Sequence, residues 1–187
     1  MVAKNEVIEF LHQSISDTQQ TIRAIDVKTG FMFLLLFAPL PIAQQIYDHA
    51  LTDCHKSVFG LIVVIAAVFT WVLAVIMQFI ALAVVIDPGD KVLRPLGATG
   101  SFFSGGLFSF NFIEAICGSK ALSKRTLDEQ VELLPKNDDE IVRELTFERM
   151  KLSFILILKA TRSRFAILFT AVWFSVSLIL CLVDRLI

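Results

Sequence analysis

The order of hydrophobic and polar positions divides the 187-residue chain into stretches of different period. Residues 5–25 carry a 3.5-residue rhythm, Ile8, Leu11, Ile15, Thr18, Ile22 and Ile25, with charges and glutamines on the other faces. Those are alternating a and d positions of a heptad pattern and predict an amphipathic helix. Three windows then lose the polar half of the pattern: Phe31 to about Tyr47, Ser57 to Ile86, and Phe165 to Val183. A helix needs about 20 mostly apolar residues to cross roughly 30 Å of hydrocarbon, so each window is expected to be a span. Pro39 and Pro41 lie inside the first, where the lost backbone donors predict a kink. The second window is longer than a bilayer needs and is expected to tilt or project beyond it.

Two further stretches lie between the second and third windows. Phe102 to Gly118 reads FFSGGLFSFNFIEAICG, apolar but short and interrupted by Gly105, Gly106, Asn111 and Glu114. Charge at mid-bilayer costs on the order of 3 kcal/mol, so an interfacial or protein-buried helix is expected here rather than a fourth crossing. Asn137, Asp138, Asp139 and Glu140 resemble a helix start, with acids at the positive end of the dipole and Pro135 breaking whatever precedes. No Gly or Pro follows, which predicts one helix of about 45 residues running through the third span. Ile141, Leu145, Leu152 and Ile155 are expected to face the N-terminal helix, with Glu148 interrupting their stripe.

The expected fold is an all-α integral membrane protein with three transmembrane helices and long cytoplasmic helical extensions. Residues 1–28 form a cytoplasmic amphipathic helix, and 29–86 a transmembrane hairpin with spans at about 30–47 and 57–86. Residues 87–164 form a cytoplasmic helical region, and 165–187 the third span with a short outer tail.

Composition agrees. Hydrophobic residues make up 56% and charged ones 19%, against about 25% charged in soluble domains. A secreted disulfide scaffold, a disordered chain and an ordinary soluble enzyme are all excluded by that balance. The net charge of -1 offers no bulk affinity for nucleic acid. Charge placement orients the chain: Lys4, Arg23 and Lys28 precede the first span, Lys56 alone follows it, and Arg185 alone follows the third. The other 12 of the 17 basic residues lie between Asp87 and Arg164. The N-terminus and the large loop are therefore expected in the cytoplasm, and the C-terminus outside. The first 30 residues are polar and carry no apolar core of a signal peptide, so none is expected.

Small residues add a further pattern. Gly60, Ala67, Ala74 and Ala81 recur every seven residues in the second span, beside Val63, Thr70, Met77 and Val84 in an offset register. Such a face lets backbones approach with a left-handed crossing, within one protomer or between protomers. A pore lining that includes Gln78 is a third reading. Ala166, Thr170, Ser177 and Cys181 form a second weakly polar face on the third span. Three spans have few ways to bury two such faces alone, so a homo-oligomer packed through Gly60, Ala67, Ala74 and Ala81 is expected.

Catalytic patterns are missing. Gly100 and Gly105 have a five-residue spacing, but Gly106-Leu107 follows where a P-loop needs Lys-Ser/Thr. There is no Gly-x-Ser-x-Gly, His-Glu-x-x-His or Cys-x-x-Cys. Asp48, His49, Asp53, Cys54 and His55 could ligate zinc, although a short polar loop between spans explains them more simply. Three scattered cysteines make no disulfide framework. No catalytic residue, metal or resident cofactor is expected, and the chain is not expected to be an enzyme.

What remains is a charged belt. Arg23, Asp26 and Lys28 lead into the first span, and Lys159, Arg162 and Arg164 into the third. Orientation and snorkelling to headgroups account for the bases. Asp26, an acid at an anionic surface, needs a partner: Arg23 or Lys28 nearby, or a polar site between helices able to hold a small anion. In order and spacing the chain resembles the transmembrane effector family of bacterial Pycsar antiphage systems, over roughly residues 20–185. The resemblance is carried by Asp26-Val27-Lys28, Asp87-Pro88-Gly89, Ser101-Phe102-Phe103, and Lys159 through Ala166. It implies an activating ligand, the cyclic pyrimidine mononucleotide cUMP or cCMP, made by a partner pyrimidine cyclase on infection. The effector then impairs the inner membrane. Arg23, Asp26, Lys28, Lys159 and Arg162 are the expected ligand-binding residues. A constitutive structural or partner-binding membrane subunit stays open as the alternative.

Overall fold

The computed structural model describes residues 4–39, 58–85, 88–93, 102 and 123–186, and every regular element among them is helical. Helix α1 is Lys4–Phe37, α2 is Val58–Leu82, α3 is Leu127–Glu132 and α4 is Asp138–Leu186, with a single 3-10 turn at Pro88–Lys91. The segment after Phe102, the loop holding Asp48, His49, Asp53, Cys54 and His55, and Asp87 lie outside the described residues.

α1 obeys its heptad rhythm. Leu11 and Ile15 are buried, Ile8, Thr18, Ile22 and Ile25 are half-buried, and the residues between them are mostly exposed. The same spacing continues through Thr29, Met32 and Leu36, so one stripe serves both the polar and the apolar half. The helix ends at Phe37, two residues before Pro39, because proline disfavours helical backbone in the residue ahead of it. Within the described residues the first window therefore reaches a helix terminus rather than the expected kink. The carbonyl of Leu36, freed by that terminus, accepts the indole N–H of Trp71 at 3.0 Å.

α2 contains the one helical stretch among the described residues that is long and apolar enough to cross a membrane, Leu61–Leu82, with mean hydropathy 2.6. Only 17% of its most apolar window is buried, so most of that surface faces outward. α4 starts where its acidic run predicts. The side chain of Asn137 accepts the Glu140 N–H at 2.9 Å, and the Glu140 carboxylate reaches back to the backbone N–H of Lys136 at 2.7 Å. It runs 49 residues without interruption, about 74 Å. α3 is held by a capping box in which Thr126 and Glu129 exchange hydrogen bonds.

The chain forms two compact units, Met1–Thr21 with Val85–Leu156, and Ile22–Val84 with Ile157–Ile187. In the first, Lys4 pairs with Asp139 at 3.0 Å and Arg149 lies over the Phe10 ring at 5.6 Å, so α1 and α4 run parallel. Leu11, Ile15, Leu145, Phe147 and Leu152 are its buried apolar residues. Glu148 keeps its place in the stripe and is buried, its Oε2 ion-paired with Lys151 Nζ at 2.5 Å in a geometry too poor for a hydrogen bond.

In the second unit Asp26 meets Lys159 and Thr29 meets Ser163, so α1 and α4 are parallel here too. α2 runs antiparallel to α1: Phe33 packs edge-on to Phe79 at 5.0 Å, and Phe37 to Trp71 at 6.0 Å. Leu36, Ala74 and Trp173 form the buried centre, flanked by Phe37, Trp71, Val75 and Phe169. Residues 22–28 and 157–164, expected in the cytoplasmic parts, belong by their packing to this second unit. Those last turns carry polar side chains, but the side chains bond to one another between helices of the apolar unit.

Candidate functional site

One face of α4 presents Lys159, Ser163 and Thr170 at i, i+4 and i+11, the spacing that stacks side chains along a helix. All three are buried, and each bonds to a different partner. Lys159 Nζ donates to Asp26 Oδ1. The Thr29 and Ser163 hydroxyls are 3.0 Å apart and buried. Gln78 Nε2 donates to Thr170 Oγ1 at 3.3 Å, and both residues are wholly buried.

The ends of this seam differ in character. The side chain of Lys159 is 11% exposed and that of Asp26 39%, so the ammonium is sunk while the carboxylate stays wet. At the inner end the Thr170 hydroxyl gives its proton to the Ala166 carbonyl at 2.8 Å. It can then only accept from Gln78, which fixes the carboxamide's orientation. Gln78 Oε1 is left with no hydrogen-bond partner. An unsatisfied buried acceptor costs about 1–3 kcal/mol, a price rarely retained without use.

Of the expected ligand residues, the structure joins Asp26 and Lys159 from 133 positions apart. Arg23 and Lys28 are exposed and Arg162 is half-buried, and among the described residues none of them pairs with an acid. The expectation that Asp26 is neutralised by Arg23 or Lys28 is corrected. Asp26 flanks the Ile22–Ile25–Thr29 stripe and turns to α4, whereas Arg23 and Lys28 lie on the solvent-facing side of α1.

The small-residue stripe is corrected as well. Ala67, Ala74 and Ala81 are buried by helices of this same chain, so a second copy has no access at those positions. Gly60 lies in the first turn of α2. Thr29 and Ser163 were missed as polar partners. The signal was present, because Thr29 is the next heptad position after Ile25 and Ser163 follows Lys159 by one turn.

The first unit holds a second concavity of about 210 Å³ between His12, Phe102, Pro135, Ile141 and Leu145, with the buried Glu144 at its edge. Its volume falls below the ~300 Å³ at which ligand clefts usually begin. No family model, curated protein or solved structure matches this chain.

Proposed function

We propose that this protein is a three-span effector of the bacterial inner membrane, N-terminus cytoplasmic and C-terminus periplasmic. A cyclic pyrimidine mononucleotide, cUMP or cCMP from a partner cyclase, gates it to impair the membrane in antiphage defence. The observation that carries this reading is the Asp26–Lys159 pair. Two motifs that the resemblance assigns to separate ends of the chain meet in one part-buried contact at the edge of an apolar unit. Three spans are supported by helix directions, because α1 and α4 run parallel with α2 antiparallel against them. Val27, Phe31 and Leu34 on α1, and Phe165, Leu168 and Val172 on α4, are exposed, as is most of the apolar stretch of α2. Apolar surface of that extent is unusual on a soluble monomer and suits lipid.

Gating follows from charge competition. The ligand's single phosphate charge would take the Lys159 ammonium from Asp26, with Arg162 three residues further along α4, and free the carboxylate to accept from the base. A ligand shifts an equilibrium only through differential affinity, and moving 1:99 to 99:1 takes roughly 5.5 kcal/mol. Homo-oligomers would assemble through the exposed Ile65, Val68, Val72 and Ile76, since the alanine stripe is already covered.

The test is dissipation of a membrane potential in proteoliposomes titrated with cUMP and cCMP. Dissipation equally strong without nucleotide refutes gating. Nucleotide affinity unchanged in Asp26→Ala and Lys159→Ala removes those residues from the site. The closed state of the ion pair favours the second reading, a constitutive structural or partner-binding subunit. Co-purification of a stoichiometric partner, with no toxicity on overexpression, would select it.

A further inference from the structure

The buried polar side chains of the Ile22–Val84 and Ile157–Ile187 unit are not scattered. They line up along one face of α4, from the Lys159–Asp26 pair through the Thr29–Ser163 hydroxyls to Gln78–Thr170. Eleven residues of helix separate Lys159 from Thr170, about 16 Å, or roughly half of a hydrocarbon layer. The next turn is apolar and aromatic: Leu36, Ala74 and Trp173, with Trp71 and Phe169 against them. From this sequence of a wet ion pair, two hydroxyls, a carboxamide with an unpartnered carbonyl and a hydrophobic closure, we infer that the seam is a gated proton path.

The inference deepens the proposed function and rests on its premise that this unit spans a membrane; it specifies a defined path rather than lipid disordering. Breaking the Lys159–Asp26 pair admits water at the exposed Asp26 end. Ser163 and Thr29 offer hydroxyls that both donate and accept, Thr170, whose proton is committed to the Ala166 carbonyl, offers an acceptor, and Gln78 Oε1 offers the acceptor that the packed state leaves unused. A proton passes along such a file by handover, each water receiving one proton and releasing another. Leu36 and Trp173 close the inner end by keeping it dry, as hydrophobic constrictions gate channels.

The full chain is reconstituted in liposomes holding a pH-sensitive dye, with the potential clamped by potassium and valinomycin. Trp173→Ala and Leu36→Ala, each checked for helix content, should admit protons at least about tenfold faster than the unsubstituted chain without any nucleotide. Adding Gln78→Leu to either should return the rate about tenfold, since leucine fills the space and removes the carbonyl. A leak that Gln78→Leu leaves unchanged overturns the path, and so do folded closure variants as tight as the parent. If both closure variants misfold, nucleotide-triggered proton influx in the parent and in Gln78→Leu decides, equal rates overturning the path. A parent chain indifferent to cUMP and cCMP, with closure variants that leak through Gln78, supports the path and refutes the gating reading alone.

Discussion

In an Asp26→Asn variant the ammonium of Lys159, only 11% exposed, loses the one carboxylate it meets among the described residues. In Lys159→Met the stranded group is instead the Asp26 carboxylate, which at 39% exposure keeps much of its hydration. Two unit charges at 4 Å attract by about 4 kcal/mol at an effective dielectric of 20, and burial of both offsets part of that. Stranding a buried charge costs about 3–5 kcal/mol, whereas losing an exposed pair costs about 0–1 kcal/mol. Asp26→Asn should therefore destabilise the apolar unit by about 3 kcal/mol and Lys159→Met by about 1 kcal/mol. The double variant, with no charge left to strand, should sit about 2 kcal/mol above Asp26→Asn. Unfolding in detergent micelles can be followed through Trp71 and Trp173, the only two tryptophans and both in this unit. Equal costs for the two single variants would mean that the lysine stem carries its ammonium out to water. That result, or a larger cost for Lys159→Met, would refute an argument built on unequal burial.

Gly30→Ala should stabilise α1 by about 1 kcal/mol in the same unfolding assay, because a Cβ there meets nothing within 4 Å and alanine is the better helix former. Lys151→Met should destabilise the first unit by about 3 kcal/mol, since it strands the buried Glu148 carboxylate, and Glu148→Gln in the same background should recover most of the loss. The hydrogen bond and charge of Asp139 raise the Lys4 pKa above 10.5. A raised folded value contributes stability that is complete below 10.5 and is lost as pH climbs through that value, so the stability gap between the chain and Lys4→Met should close at high pH. The pair is exposed, so the same gap should shrink in high salt, as thermal melts at two ionic strengths would show.

Local pattern was enough to place the helices. The heptad rhythm of residues 8–25, the acidic cap before α4 and the uncharged run of α2 are properties of neighbours in sequence. Backbone hydrogen bonding and side-chain periodicity turn them directly into helices with defined faces. Even the place of Glu148 was legible, because a residue in a buried stripe is buried whatever its charge. Pro39 likewise marked a disruption of α1, which ends at Phe37 with the Leu36 carbonyl bonded to Trp71, while Pro41 lies outside the described residues. Pairings between distant residues were not legible. Sequence spacing shows that Asp26 needs a cation and that Lys159 lies near a span, yet sixteen other bases compete for that acid. Only the parallel packing of α1 against α4 selects Lys159 and pairs Thr29 with Ser163.

The alanine stripe makes the same point from the other side. Small residues at every seventh position state that something packs closely, but a helix face has the same composition whether it meets its own chain or a second copy. The sequence by itself determined an all-helical chain with polar stretches set apart from three apolar windows and no recognisable catalytic pattern, and the structure singles out Leu61–Leu82 among the described residues as the stretch apolar enough to span. The tertiary structure decided what covers the alanines, which base holds Asp26, and that Gln78 lies buried with its carbonyl unpartnered. The physical reason is range: periodicity and capping act over a few residues, whereas burial and ion pairing depend on which helices the packing brings together.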